Sequence, residues 1–142
     1  MMYQEGQLLR FSSFIFKNGN TPKPKYFVVL RHINDMVMMA TLPTSKDHIP
    51  TDVNVTHGCV NLPERCVNAY VLSPYDQVTP SFRFAVPTYI YGENVDEYDE
   101  AYLDTMEAEV EDLGILSNDL LQEIRDCVKQ ATGIKQKYVR LL

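Results

Sequence analysis

Apolar and polar positions alternate along the first third of the chain in a way that predicts strands. From Gln7 to Phe16, Leu9, Phe11, Ser13 and Ile15 fall on one face and Arg10 and Ser12 on the other. Tyr26 to Ile33 is a run of β-branched and aromatic residues, the pattern of a central strand covered on both faces. Asn34-Asp35 is a turn pair, and Met36 to Leu42 returns as the hairpin partner. Further on, Val53–Val55, Asn68–Leu72 and Val86–Tyr91 read as short strands. His57-Gly58-Cys59 reads as a turn, and Leu62-Pro63-Glu64 and Ser73-Pro74 as breaks. Five or six short strands without intervening helices predict a small closed or half-closed barrel over residues 1–92.

The pattern changes after Gly92. Tyr98, Tyr102, Met106 and Val110 recur at four-residue spacing over 96–112, a thin stripe on a charged helix that needs a docking surface. A second helix starts at Ser117 or Asn118 and runs to Thr132. Leu120, Leu121, Ile124, Cys127, Val128 and Ala131 form its apolar face, and Gly133 ends it. The fold class expected is mainly β (α+β): a barrel domain, 1–92, and an acidic segment plus C-terminal helix, 93–142, packed on it.

The charge of −6 hides a division. Residues 1–92 carry +2, residues 93–112 carry −10 with no Lys or Arg, and residues 113–142 carry +2. A local basic face on the barrel is therefore compatible with an acidic whole. The acidic block is expected to lie over that face and compete with a polyanion. Cys59, Cys66 and Cys127 are an odd number without framework spacing, which points to free thiols, a reducing environment and a cytoplasmic protein. MMYQEGQLLR lacks the pattern of a signal peptide, and no apolar run is long enough to span a bilayer.

Candidate chemistry concentrates in TLPTSKDHIP, residues 41–50. Thr44 and Ser45 supply hydroxyls, Lys46 a cation and His48 an imidazole that titrates near neutrality, a set suited to phosphate. Lys23, Lys25, Arg31, Lys46, Arg65 and Arg83 are spread through the barrel portion with tyrosines between them, as in surfaces that track a nucleic-acid backbone and stack on unpaired bases. His57, Cys59 and Cys66 lack a fourth ligand for zinc, and no motif activates a cysteine or serine nucleophile. No Walker or dinucleotide loop is present, so neither metal nor cofactor is expected.

The order of pieces Glu5-Gly6-Gln7, a polar glycine loop, Lys23-Pro24-Lys25-Tyr26-Phe27-Val28-Val29-Leu30, a hairpin and Leu42-Pro43-Thr44-Ser45-Lys46 resembles the MazF/PemK growth-inhibitor toxins of toxin–antitoxin modules. The resemblance covers roughly residues 5–80. A second group, phage-defence ribonucleases with a comparable T-S-x-K loop, is similar too. The resemblance implies an SH3-like barrel, a homodimer, an antitoxin protein as partner, and metal-independent endoribonuclease action on single-stranded RNA. By position, the family's strand-start arginine falls on Lys25, its threonine on Thr44, and its flexible loop on residues 17–22. Lys25, Thr44 and His48 are then the catalytic candidates, His48 on its chemistry alone. Lys23, Ser45, Lys46 and Arg31 are the RNA- and phosphate-binding candidates. Two departures stand out: lysine replaces arginine at 25, and Ser73-Pro74-Tyr75-Asp76 carries no cation where relatives place an arginine. A barrel that binds RNA or protein without cutting therefore stays open as the alternative.

Overall fold

The computed structural model describes residues 3–19, 21–43 and 49–142. The chain is mainly β, with two antiparallel sheets and a few short helices. The large sheet contains β1 (Gln7–Phe14), β2 (Lys23–Ile33), β3 (Met36–Thr41), β7 (Val95–Asp99) and β8 (Val110–Ile115), in the order β7-β3-β2-β1-β8. The small sheet is β4 (Gly58–Leu62), β5 (Val67–Leu72) and β6 (Thr88–Tyr91) in sequence order. No closed barrel ladder joins the two among the described residues. The Tyr89 N–H does donate to the Pro43 carbonyl, 3.0 Å, and so ties β6 to the end of β3.

β2 sits at the centre of the large sheet, as its apolar run requires. Val28 and Leu30 face one core, shared with Leu8, Ala40, Tyr70 and Ile90. Phe27 and Val29 face a second, shared with Leu9, Phe11, Val37 and Met39. A strand with both faces apolar has no water-facing side, so elements must cover both. The predicted hairpin forms, with Asn34 in the left-handed region at φ 53°.

β1 departs from its predicted alternation. Phe11 pairs with Lys25 and Phe14 with Lys23, so β1 spends three residues where β2 spends two. This bulge reverses the phase of the strand. Phe14 therefore joins Phe11 in the second core, and Ile15, expected to share the face of Leu9 and Phe11, is 49% exposed.

The acidic segment is not the helix its four-residue spacing predicts. It is β7, a short helix α1 (Glu100–Asp104), a 3₁₀ turn at Glu107–Glu109, and then β8. It leaves one edge of the large sheet and arrives at the other. Tyr98, Leu103 and Met106 are buried against the second core, with Tyr102 and Val110 beside them. The stripe residues do face the sheet, but through three kinds of backbone. The covered surface is apolar rather than basic, which corrects the expected contact. Residues 93–142 are also not an addition to a finished domain, because they supply both edge strands. Asp96, Glu97 and Asp99 on one edge, and Glu111 and Asp112 on the other, discourage edge-to-edge association.

The opposite face is closed by the small sheet and by α2 (Asn118–Val128), which buries Leu121, Ile124, Cys127 and Val128. Ser117 caps α2, its hydroxyl accepting from the Leu120 N–H at 3.1 Å. The helix ends at Val128, short of Thr132, and the basic tail after it forms α3 (Gln136–Leu141). Gly92 is needed for close approach: a Cβ there would lie 2.4 Å from Ala131 Cβ and 2.7 Å from the Val128 carbonyl oxygen. Three further expectations change. Residues 53–55 form no strand, residues 58–59 open β4 instead of a turn, and Thr88 rather than Val86 begins β6.

The cysteines are the largest correction. Cys59 on β4 and Cys127 on α2 form a disulfide, while Cys66 is free and exposed. A contact between residues 68 apart in sequence has no local signature, so spacing alone read both as thiols. No helix among the described residues is long and apolar enough to cross a membrane.

Candidate nucleic-acid interface

A cleft of about 250 Å³ opens where β2 begins and β3 ends. Lys23 and Lys25 form its cationic wall, because β2 continues past the edge of the apolar core on the same face as Phe27 and Val29. Thr41 and Pro43 form the facing wall. The Leu42 N–H donates to the Tyr26 carbonyl at 3.0 Å and holds this end of β3 beside Lys25. Phe16 and Asn18, from the loop after β1, and Asn94, from the turn before β7, complete the lining. Lys23 Nζ stands 5.9 Å from the centre of the Phe16 ring.

Burial pushes the Lys25 ammonium below the ordinary lysine value, and the positive charge of Lys23 adds to the effect. A half-buried cation pressed against a like charge gains most from an anion. A phosphate arriving here restores the proton affinity that burial and Lys23 remove. A second hollow of about 330 Å³ shares Phe16, Thr41 and Asn94 with the first and adds Asp96, Tyr98 and Lys135. The two form one trough, cationic at one end and acidic at the other, with an aromatic ring at their junction.

Lys17 marks the boundary of this trough. Its ammonium pairs with Asp96 at 3.3 Å, donates to the Glu97 carbonyl, and lies 4.3 Å from the Tyr98 ring centre. The loop that carries Phe16 and Asn18 is thus anchored to the acidic segment. That is a positional contribution of the segment, distinct from the polyanion mimicry expected of it.

Of the residues chosen from sequence, Lys23 and Lys25 are brought together. Thr44, Ser45, Lys46 and His48 lie outside the described residues; they follow directly on Pro43, which lines the cleft. Arg31 does not join. It lies six residues further along β2, about 20 Å at strand spacing. There its guanidinium donates to Glu5 Oε1 at 3.2 Å and to the Leu141 and Leu142 carbonyls at 2.6 and 3.3 Å. Arg125, 7% exposed, comes from α2 to the same carboxylate at 2.8 Å and also donates to the Leu30 carbonyl. Burial raises the Glu5 carboxyl, but the His32 amide and the two guanidinium charges outweigh it and hold it below the ordinary value. Arg31 is therefore part of a fastening between β2, α2 and the C-terminus.

Phe16, Thr41 and Asn94 were not singled out from the sequence. Thr41 fell inside the strand expected over Met36 to Leu42, but nothing local marks Asn94 as its neighbour. Arg65, one of the scattered cations, is paired with Asp52 through two hydrogen bonds of 3.1 and 2.9 Å. No group of three or more His, Cys, Asp and Glu side chains placed to hold a metal ion occurs among the described residues. No protein-family model matches the chain. No curated protein sequence matches it either.

Proposed function

We propose that the chain is an RNA-binding growth inhibitor of the MazF/PemK type, with an SH3-like arrangement of its strands, acting on single-stranded RNA in the cytoplasm. The observation that carries the reading is the cleft in which Lys23 and half-buried Lys25 face the end of β3, from which the Thr44-Ser45-Lys46 segment departs. In this reading Lys23 and Lys25 hold a phosphodiester, and Phe16 offers a face to an unpaired base. The other half of the trough accommodates the neighbouring nucleotide.

Cleavage on this arrangement uses the ribose 2′-OH. Its oxygen attacks phosphorus, the bond from phosphorus to the 5′-oxygen breaks, and a 2′,3′-cyclic phosphate and a 5′-hydroxyl result. His48 is the proposed acceptor of the 2′ proton and returns it to the departing oxygen. Lys25 balances the negative charge that grows on the phosphoryl oxygens. Thr44, Ser45 and Lys46 complete the anion site. A homodimer and a protein antitoxin that covers the trough belong to the same proposal.

A second reading, binding without cleavage, is favoured by Lys25 itself. One ammonium supplies charge but not the planar fork that grips two phosphate oxygens. The test is incubation of purified protein with a mixed single-stranded RNA in EDTA, with analysis of the product ends. Cyclic ends that disappear in Lys25→Ala and in His48→Gln support the nuclease. Salt-sensitive binding without cutting selects the second reading, and absence of both refutes the proposal.

A further inference from the structure

The Cys59–Cys127 disulfide lies in the wall of a cavity of about 420 Å³, away from the Lys23–Lys25 cleft and lined by different residues. The two sulfurs belong to unequal residues. Cys59 is an exposed position on β4, whereas Cys127 is 1% exposed on the inner face of α2. An entering nucleophile therefore meets the Cys59 side of the bond. The Ala69 carbonyl oxygen stands 3.5 Å from Cys127 Sγ, so a thiol at 127 has an acceptor already in place. Nor does α2 depend on the bond for its seat. Leu121, Ile124 and Val128 are buried, Arg125 is fastened to Leu30 and Glu5, and Asn68 donates to the Cys127 carbonyl at 2.7 Å.

We propose that Cys59 is a site of reversible S-thiolation by small aminothiols, which enter this cavity and open the disulfide. The thiolate sulfur of the reagent attacks Cys59 Sγ, and the Cys59–Cys127 bond breaks. A mixed disulfide forms on Cys59. Cys127 leaves as thiolate and takes up, through the solvent of the cavity, the proton that the reagent gave up. No net oxidation occurs, since one disulfide replaces another. His57 lines the same cavity. Its Nδ1 accepts from the Ser73 amide at 3.4 Å and stands 3.7 Å from Asp76, so the ring is held at the cavity wall.

The lining also selects the reagent. Glu123, whose Oε2 accepts from the Tyr70 hydroxyl at 2.6 Å, and Asp126, paired with Lys129 at 3.1 Å, place two carboxylates against one ammonium beside the sulfurs. An amine-bearing thiol is drawn to that surface and an anionic one repelled. In a reducing compartment a disulfide persists as a sensing or transient element rather than as a permanent staple, which matches a bond approached from an open cavity.

The experiment uses the full chain carrying Cys66→Ser, so that the exposed free thiol does not react. The oxidised protein is treated with cysteamine or with 2-mercaptoethanesulfonate at equal thiolate concentration, then mapped by peptide mass and followed by near-ultraviolet circular dichroism. The expected result is one cysteamine on Cys59, a free thiol at Cys127, and retained tertiary signal. Cysteamine should react faster by about fivefold or more, a ratio that shrinks in high salt. An adduct on Cys127, equal rates for the two reagents, or loss of the tertiary signal on opening would each overturn the proposal. Mass mapping that finds Cys59 and Cys127 unpaired before treatment would overturn it as well.

Discussion

Replacing Cys59 and Cys127 together by serine, in a Cys66→Ser parent, should lower the unfolding free energy by about 4 kcal/mol. The magnitude follows from the length of chain that the bond closes. The two residues are 68 apart, and closing a loop of that size removes roughly 15 cal/mol/K from the unfolded ensemble in the chain-entropy description. Serine at 127 finds the Ala69 carbonyl as acceptor, so the substitution adds no orphaned buried hydroxyl. For 142 residues with an unfolding entropy of roughly 2.1 cal/mol/K each, the loss corresponds to a Tm lower by about 14 °C. Calorimetry gives the Tm, and urea unfolding gives the midpoint and the slope. The slope carries the diagnosis. Freed of its cross-link, the unfolded chain expands and exposes more surface, so m should rise in the variant. A midpoint unchanged from the parent would refute the reasoning. So would a fall in stability with no change in m, which would mean lost packing around α2 rather than a released loop.

Other outcomes follow from the cleft and from the fastenings of the fold. Lys25→Ala should weaken single-stranded RNA binding about tenfold and reduce the slope of log affinity against log salt by about 0.7, measured by fluorescence titration. Because the Lys25 pKa is lowered, its charge is present at neutral pH and lost as pH rises through a value below the ordinary 10.5. RNA affinity should therefore fall on the alkaline side earlier than for an exposed lysine, and Lys25→Arg should remove that early fall. Arg125→Leu takes the donors from the Leu30 carbonyl and one of two guanidinium partners from Glu5. It should cost about 3 kcal/mol in urea unfolding. Gly92→Ala forces a methyl against Ala131 and the Val128 carbonyl, and should cost about 1–3 kcal/mol by the same assay.

How much of this was legible in the residues differs by element. The β2–β3 hairpin was, because an apolar run, an Asn-Asp turn and a second apolar run are all local. The α2 helix was legible too, from its cap and its apolar stripe, although Gly133 placed its end four residues late. The acidic segment was half legible. Tyr98, Met106 and Val110 were recognised as the side chains that must dock, yet four-residue spacing read as helix when the segment alternates between strand, helix and 3₁₀ turn. The bulge in β1 was not legible, since it arises from pairing with Lys23 and Lys25 rather than from β1 itself. At the candidate site, Lys23 and Lys25 were legible as cations leading into the strand expected from Tyr26, and the structure extends that strand back to Lys23. Arg31 has the same charge on the same strand, and only the C-terminus folding back onto it removed it from the cleft.

The sequence by itself determined that this is a β-rich chain with a central two-faced strand, a C-terminal amphipathic helix and a sharply divided charge. Such properties are set by neighbours within a few residues. Tertiary structure alone decided that the acidic stretch would supply both edges of the large sheet, that Phe16, Thr41 and Asn94 would meet the two lysines, and that Cys59 would find Cys127. Each of those depends on surfaces that come into contact only once the chain has closed on itself, and no local pattern encodes which distant surface will be there to meet them.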